Sequence, residues 1–222
     1  MMKKLKKLFS ALLSLFYPEL CVGCGEVLRA NERHLCLNCL LHLPETNYHL
    51  VPDNPLEALF WGRIRVERVS AFLFFRKGAM VQKMLHALKY KGNWEIGEYL
   101  GQSYGRKLRE SGVFDDVSAI LPIPLHKKKL RIRGYNQSEA IAKGLSQAMG
   151  IPYYVDVLVR TEFTETQTQK SRFSRWENVK NVFVVENLDK IEGKRGKSEA
   201  IALTKFELMS KSPTSNADSV YT

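Results

Sequence analysis

The chain has little cysteine: four among 222 residues, Cys21, Cys24, Cys36 and Cys39, and none after them. It also lacks a membrane-spanning run. The apolar stretch at residues 8–16 is too short to cross a bilayer, so no transmembrane segment is expected. Lysines followed by that stretch imitate a secretory signal. However, Tyr17-Pro18-Glu19-Leu20 offers no small-x-small cleavage site, and the run before Cys21 is no lipobox. The expected compartment is therefore the cytoplasm, where thiols stay reduced. Acid is missing between Leu121 and Ser138, a stretch holding Lys127, Lys128, Lys129, Arg131 and Arg133. No internal repeat is present.

The few cysteines are grouped. Cys21-x2-Cys24 and Cys36-x2-Cys39 stand eleven residues apart. Paired CxxC knuckles at this separation can place four thiolates around one tetrahedral ion, with zinc the expected metal. Gly23 and Gly25 supply the tight turn around Cys24. A four-cysteine site has no open coordination position, so its role is folding rather than catalysis. The rival readings are two disulfides or four unrelated buried thiols. His34, just before Cys36, reads as a loop residue or a donor behind the ligands.

At 45% hydrophobic content the length suffices for one full core and a small module. The net charge of +11 favours a polyanionic partner such as nucleic acid, phosphates or an anionic membrane surface, against a merely solvated basic face. Leu5, Leu8, Leu12, Leu15 and Phe16 share one side of an expected N-terminal helix, which could pack on the body or make a peripheral membrane contact.

Residues 1–45 are expected to form the helix and zinc module. Residues 46–62, with Pro52 and Pro55, read as a linker. Strands are expected at 66–75, 117–123, 155–159 and 181–185. Helices are expected at 80–88, stopped near Gly92, at 94–109, and at 136–149, stopped by Gly150 and Pro152. Residues 171–180 read as a short helix, and 198–209 as another. Strands alternating with helices argue for an α/β layer with a mainly parallel sheet. Residues 211–222 lack apolar periodicity and read as a disordered end.

Ligands of open α/β sheets bind beyond the C-terminal ends of strands. There the strand at 117–123 runs through Pro122-Ile123-Pro124-Leu125-His126 and the basic stretch, read as a loop, into Arg133-Gly134-Tyr135-Asn136-Gln137. Arg133 offers a bidentate fork for a phosphate, Gly134 an unusual turn, and the helix beginning near Asn136 an anion-attracting end. The alternative is a solvated connecting loop. A second polar set holds Gln167, Gln169, Arg172, Arg175 and Asn178. Lys89 and Lys91 flank Tyr90, an arrangement suited to nucleic acid or simply to a helix C-terminus.

Together these motifs resemble the ComF family of competence proteins. The resemblance rests on Phe16-Tyr17-Pro18 and the CxxCG knuckle, Lys89-Tyr90-Lys91-Gly92, Leu121-Pro122-Ile123-Pro124-Leu125-His126, Arg133-Gly134-Tyr135-Asn136-Gln137, and Thr-x-Gln ahead of Arg175-Trp176-x-Asn178-Val179, in order along residues 10–193. It implies a zinc-ribbon module joined to a type I phosphoribosyltransferase-like domain at 63–193, and a role in natural transformation. Single-stranded DNA is then the expected partner, contacted by Lys127, Lys128, Lys129, Arg131, Arg133 and Tyr135, beside a competence helicase and other DNA-processing proteins. Lys89, Lys91, Arg133, Gly134, Asn136, Gln137, Gln167, Gln169 and Arg175 are the substrate- or phosphate-binding candidates. The alternative is an amidophosphoribosyltransferase-like enzyme using Mg²⁺ and phosphoribosyl pyrophosphate.

One departure bears on that alternative. The family's acidic pair and Thr-Thr-Gly-x-Thr loop, a phosphate nest at a helix N-terminus, should follow Gly193-Lys194. Here the chain continues Arg195-Gly196-Lys197-Ser198-Glu199-Ala200, and Asp115-Asp116 is its only Asp pair. The expectation is a lost frame or divergence near Lys194, a truncated and catalytically inactive domain, an atypical tail at 194–222, and a buried strand left as an open sheet edge.

Overall fold

A computed structural model describes residues 17–62, 66–161 and 182–191, and the backbone of 199–203. The helices expected at 1–16 and 171–180, together with Gln167, Gln169 and Arg175, lie outside these residues. The chain divides into two compact units. Among the described residues, one takes those up to Thr46 with Leu73–Ala87, and the other takes Asn47–Phe72 and those from Leu88 onward. Among the described residues no helix is long and apolar enough to cross a membrane.

In the first unit the chain folds back on itself around the cysteines. Leu20 and Val27 form an antiparallel bridge, and Arg33 and Leu35 another. A short helix, α1 (Leu37–Leu41), follows with Cys36 as its N-cap. Residues 73–74 are tied to this module: the Phe74 N–H donates to the Pro44 carbonyl at 2.8 Å, and Leu73 bridges Glu45. Residues 66–75 therefore make one bridge rather than the expected strand. The helix α2 (Met80–Tyr90) starts from here and buries Val81, Met84, Leu85, Ala87 and Leu88, at helical spacing.

The second unit is built on a helix pair. Asn93 caps α3 (Trp94–Ser111) by accepting the Ile96 N–H, and Gly112 ends it at φ 67°. Asn136 caps α5 (Gln137–Met149), and Gly150 ends it at φ 75°. The two helices touch backbone to backbone. A Cβ on Gly101 would stand 2.2 Å from the Ile141 carbonyl oxygen, and one on Gly144 would stand 2.1 Å from that of Glu98. Only glycine permits that approach. Glu98 then joins the pair, accepting from Lys143 Nζ and Gln147 Nε2, each at 2.9 Å.

The segment read as a linker is packed into this unit. Asn54 is 1% exposed; its amide donates to the carbonyls of Tyr48, Val51 and Val69, and its oxygen accepts from the Leu56 and Glu57 N–H groups. Tyr104 of α3 stacks on Phe72 at 4.8 Å and donates to Ser70 Oγ at 2.7 Å.

The strand β1 (Val117–Pro122) buries Val117, Ala119, Ile120 and Pro122. Beyond it, the basic stretch is a helix, α4 (Lys127–Arg133), where a loop was expected. Residues 155–159 and 181–185 give shorter strands, β2 (Leu158–Arg160) and β3 (Phe183–Val185), paired antiparallel rather than in a parallel sheet. The last described element, β4 (Glu199–Leu203), is a strand where a helix was expected, and it pairs parallel with β1. On the other edge of β1 the Ile120 N–H donates to the Pro152 carbonyl and the Tyr154 N–H to that of Ile120, both at 3.0 Å. β1 is thus flanked on both sides and is not itself an open edge. The observed architecture is a mixed α/β protein with small sheets and a four-cysteine cluster.

Candidate metal centre and basic face

The four cysteine sulfurs lie within 4.8 Å of one another, the one such grouping of metal-binding side chains among the described residues. All four cysteines are free, so the disulfide reading does not hold. Two backbone turns produce the convergence. The Gly25 N–H donates to the Cys21 carbonyl at 2.8 Å, with Gly25 at φ 90°, and this folds the first knuckle. His34 stands at φ 59° with its carbonyl accepting the Val22 N–H at 2.8 Å, which brings the second knuckle alongside; it is a turn residue.

Backbone donors then aim at sulfur. The Cys36 N–H reaches Cys21 Sγ at 3.2 Å, and those of Glu26 and Cys39 reach Cys24 Sγ and Cys36 Sγ at 3.5 Å. Burial tends to raise the Cys21 pKa, but N–H donors from Cys24, Cys36 and Gly23 outweigh it and lower the thiol to about 6. Burial and the neighbouring sulfurs push Cys39 up. The geometry fits a metal. Zinc–sulfur bonds of about 2.3 Å set tetrahedral sulfur–sulfur edges of about 3.8 Å, and Cys24 Sγ and Cys36 Sγ stand 3.6 Å apart. Four thiolates in that space repel unless a cation lies between them. Cys21, Cys24, Cys36 and Cys39 can therefore hold an ion such as zinc. Four protein ligands close its coordination, leaving it a stabilising part.

Of the sequence-predicted anion residues, those from Lys127 to Gln137 follow β1 in the second unit. His126 caps α4, its Nδ1 accepting the Lys128 N–H at 3.2 Å. Lys127, Lys128 and Arg131 face solvent or lie close to it, and no residue of α4 is buried. Its apolar members are exposed too, Ile132 at 84%. Gly134 ends the helix at φ 79°, its N–H on the Leu130 carbonyl at 2.8 Å.

The next three residues are anchors. The Tyr135 hydroxyl donates to the Leu88 carbonyl near the end of α2. Asn136 caps α5 and donates from Nδ2 to the Ile123 carbonyl at 3.0 Å, tying α5 to the chain leaving β1. Gln137 is buried, and its Oε1 accepts from Arg133 Nη1 at 2.9 Å. Arg133 also lies over Tyr90, its guanidinium carbon 5.7 Å from the ring centre. Lys89 and Lys91 are that tyrosine's neighbours in sequence.

Arg160 was missed. It lies on β2 over Phe183 at 5.5 Å. After partial burial, it is the leading charge lowering the pKa of His126, ahead of Lys128, Lys129 and Lys127. The available signal was topological. Tyr153 pairs with Ile120 in parallel, so residues after both run out at the same end of β1.

No family model and no solved structure matches the chain. Curated relatives do. It is 28% identical over 163 residues to Competence protein F of Haemophilus influenzae, covering 73% of this chain and 62% of that protein. It is 26% identical over 178 residues to the DNA utilization protein YhgH of Shigella flexneri and of Escherichia coli O157:H7, covering 78% of this chain and 74% of each relative. The chain thus spans less than two thirds of the Haemophilus protein's length.

Proposed function

We propose that the chain is a ComF-like competence protein and that it acts in DNA uptake by binding single-stranded DNA along the basic face at the end of β1. Helicase and DNA-processing partners would meet it there, in the cytoplasm. The observation that carries this reading is α4: an exposed helix bearing Lys127, Lys128, Lys129, Arg131 and Arg133, in a stretch without a single acid. A flexible polyanion neutralises such a face and releases its own counterions in doing so. Zinc on the four cysteines would stabilise the N-terminal module and take no part in chemistry.

The finer fold assignment, a phosphoribosyltransferase-like domain over 63–193, is supported by the motif order; the parallel β1–β4 pair reaches past that range, to residues 199–203. The transferase alternative, with Mg²⁺ and phosphoribosyl pyrophosphate, is less well supported. Residues 1–222 contain no acidic pair followed by a Thr-Thr-Gly loop, and the relatives' names speak of competence and DNA utilization. The chain as written is accordingly taken as catalytically inactive.

Fluorescence anisotropy on an unstructured oligonucleotide, repeated across salt concentrations, tests the DNA reading. The affinity should fall with salt at a logarithmic slope of about 0.7 per phosphate contacted, with little sequence preference. No binding at low salt would refute it.

A further inference from the structure

We propose that Tyr90, Arg133 and Gln137 form a stacking corner that holds one unpaired base, giving the basic face a preference for single strands over duplex. The inference rests on the DNA reading above and adds a subsite to it.

The two tyrosines near the basic helix differ in what they offer. Tyr135 is half-buried, and its hydroxyl is committed to the Leu88 carbonyl. Tyr90 is 65% exposed, so part of its ring is reached by solvent even with Arg133 beside it. Arg133 lies over that ring, and its position is set from below, because the buried Gln137 accepts one of its N–H groups at 2.9 Å. A guanidinium carries five N–H donors in a fixed fork, so this bond orients the group without using it up. Gln137 is in turn fixed in the first turn of α5, whose cap Asn136 donates to the Ile123 carbonyl just past β1. An arginine held this way is a pre-ordered phosphate donor beside an aromatic face.

That pairing suits an unpaired nucleotide: the base lies against the tyrosine while its phosphate meets the arginine fork and the flanking Lys89 and Lys91. In a duplex the bases are already stacked on each other, and the ring has nothing to receive. The lysines of α4 supply charge to either form of DNA, whereas the corner distinguishes between them. Gln137 is a positioning residue here, acting through Arg133.

The test uses the full chain with its metal, single-stranded and duplex oligonucleotides of one sequence, and 2-aminopurine in place of one adenine. Tyr90→Leu should weaken single-strand binding about 5- to 150-fold, the range for losing one stacked base. It should leave duplex affinity and the salt slope unchanged, and abolish the 2-aminopurine quenching seen on binding. Tyr90→Trp should restore both affinity and quenching. Gln137→Leu should reduce single-strand affinity less than Tyr90→Leu does, with duplex affinity again unchanged. If Tyr90→Leu binds single strands as the unaltered protein does, or loses single-strand and duplex affinity equally, the corner is refuted while the DNA reading stands. If the unaltered protein binds no DNA, the DNA reading itself fails. Should Tyr90→Leu not fold, Tyr90→Trp decides: no quenching of 2-aminopurine on binding refutes the corner.

Discussion

Around Cys21–Cys39 the chain is short, turn-rich and gathered on four sulfurs; around α3 and α5 it is helical and gathered on glycines. In the first region Leu37 and Leu41 stay exposed, and three of the four cysteines are buried together with Leu35. In the second the helix backbones meet with no side chain between them at Gly101 and Gly144. A small module that buries little apolar surface gains its stability from a metal, whereas a larger unit gains it from close packing. The difference also separates the proposed roles: a closed sulfur site has nothing to offer a ligand, whereas the exposed basic helix of the second unit is the face proposed for DNA.

The contrast should collapse most completely when a sulfur is removed. Structural zinc sites contribute about 10–16 kcal/mol of apparent binding energy at neutral pH. Cys24→Ser should therefore release the metal and unfold residues 18–44, as read by metal analysis and proteolysis. A full metal complement in that variant would contradict the metal's structural role. On the other side, Gly144→Ala forces a methyl to within 2.1 Å of the Glu98 carbonyl oxygen. Separating the helices should cost about 3 kcal/mol or more, measured by denaturant unfolding, while the metal content stays the same.

Charge reversal at Lys127, Lys128 and Lys129 to Glu should leave both regions folded. It should weaken binding to all DNA sequences alike and flatten the salt slope by about 0.7 for each single-strand phosphate no longer neutralised. An unchanged slope would show that α4 is not the binding face.

The smallest effect concerns Glu32, whose carboxylate accepts the N–H groups of Arg29 at 2.7 Å and Leu37 at 2.8 Å. The Arg29 and Leu37 backbone bonds hold its pKa below the usual carboxylate value. With the folded pKa lowered, the stabilisation is present above the unfolded pKa and is lost as pH falls through the folded one. Glu32→Gln should therefore speed amide exchange at Arg29 and Leu37 near neutral pH, and the two proteins should converge in acid. Equal exchange rates at neutral pH would remove the claim.

The cysteine knuckles were legible because metal-ligand spacing is local. The helices at 80–90, 94–111 and 137–149 were legible for a similar reason: apolar periodicity, the capping Asn136 and the stops at Gly92 and Gly150 all agree. The basic helix was not, because no residue of α4 is buried and so no periodicity marks it. The strand read at 66–75 failed because Phe72 stacks on Tyr104 and Leu73 alone finds a bridge partner, Glu45. β4 was hidden because its pairing with β1 spans roughly eighty residues of sequence, a contact no local pattern reports. The corner at Tyr90 was half legible: its residues were named, but only their placement shows Gln137 holding Arg133 over an exposed ring.

The two regions are assigned separate causes, four sulfurs that can hold a metal in one and helix packing in the other. Hydrogen exchange along the full chain, before and after the metal is stripped by a chelator, reads both at once. Protection should collapse across residues 20–41 and persist in α3 and α5. Protection lost together in both regions, or unchanged in both, would contradict separate causes.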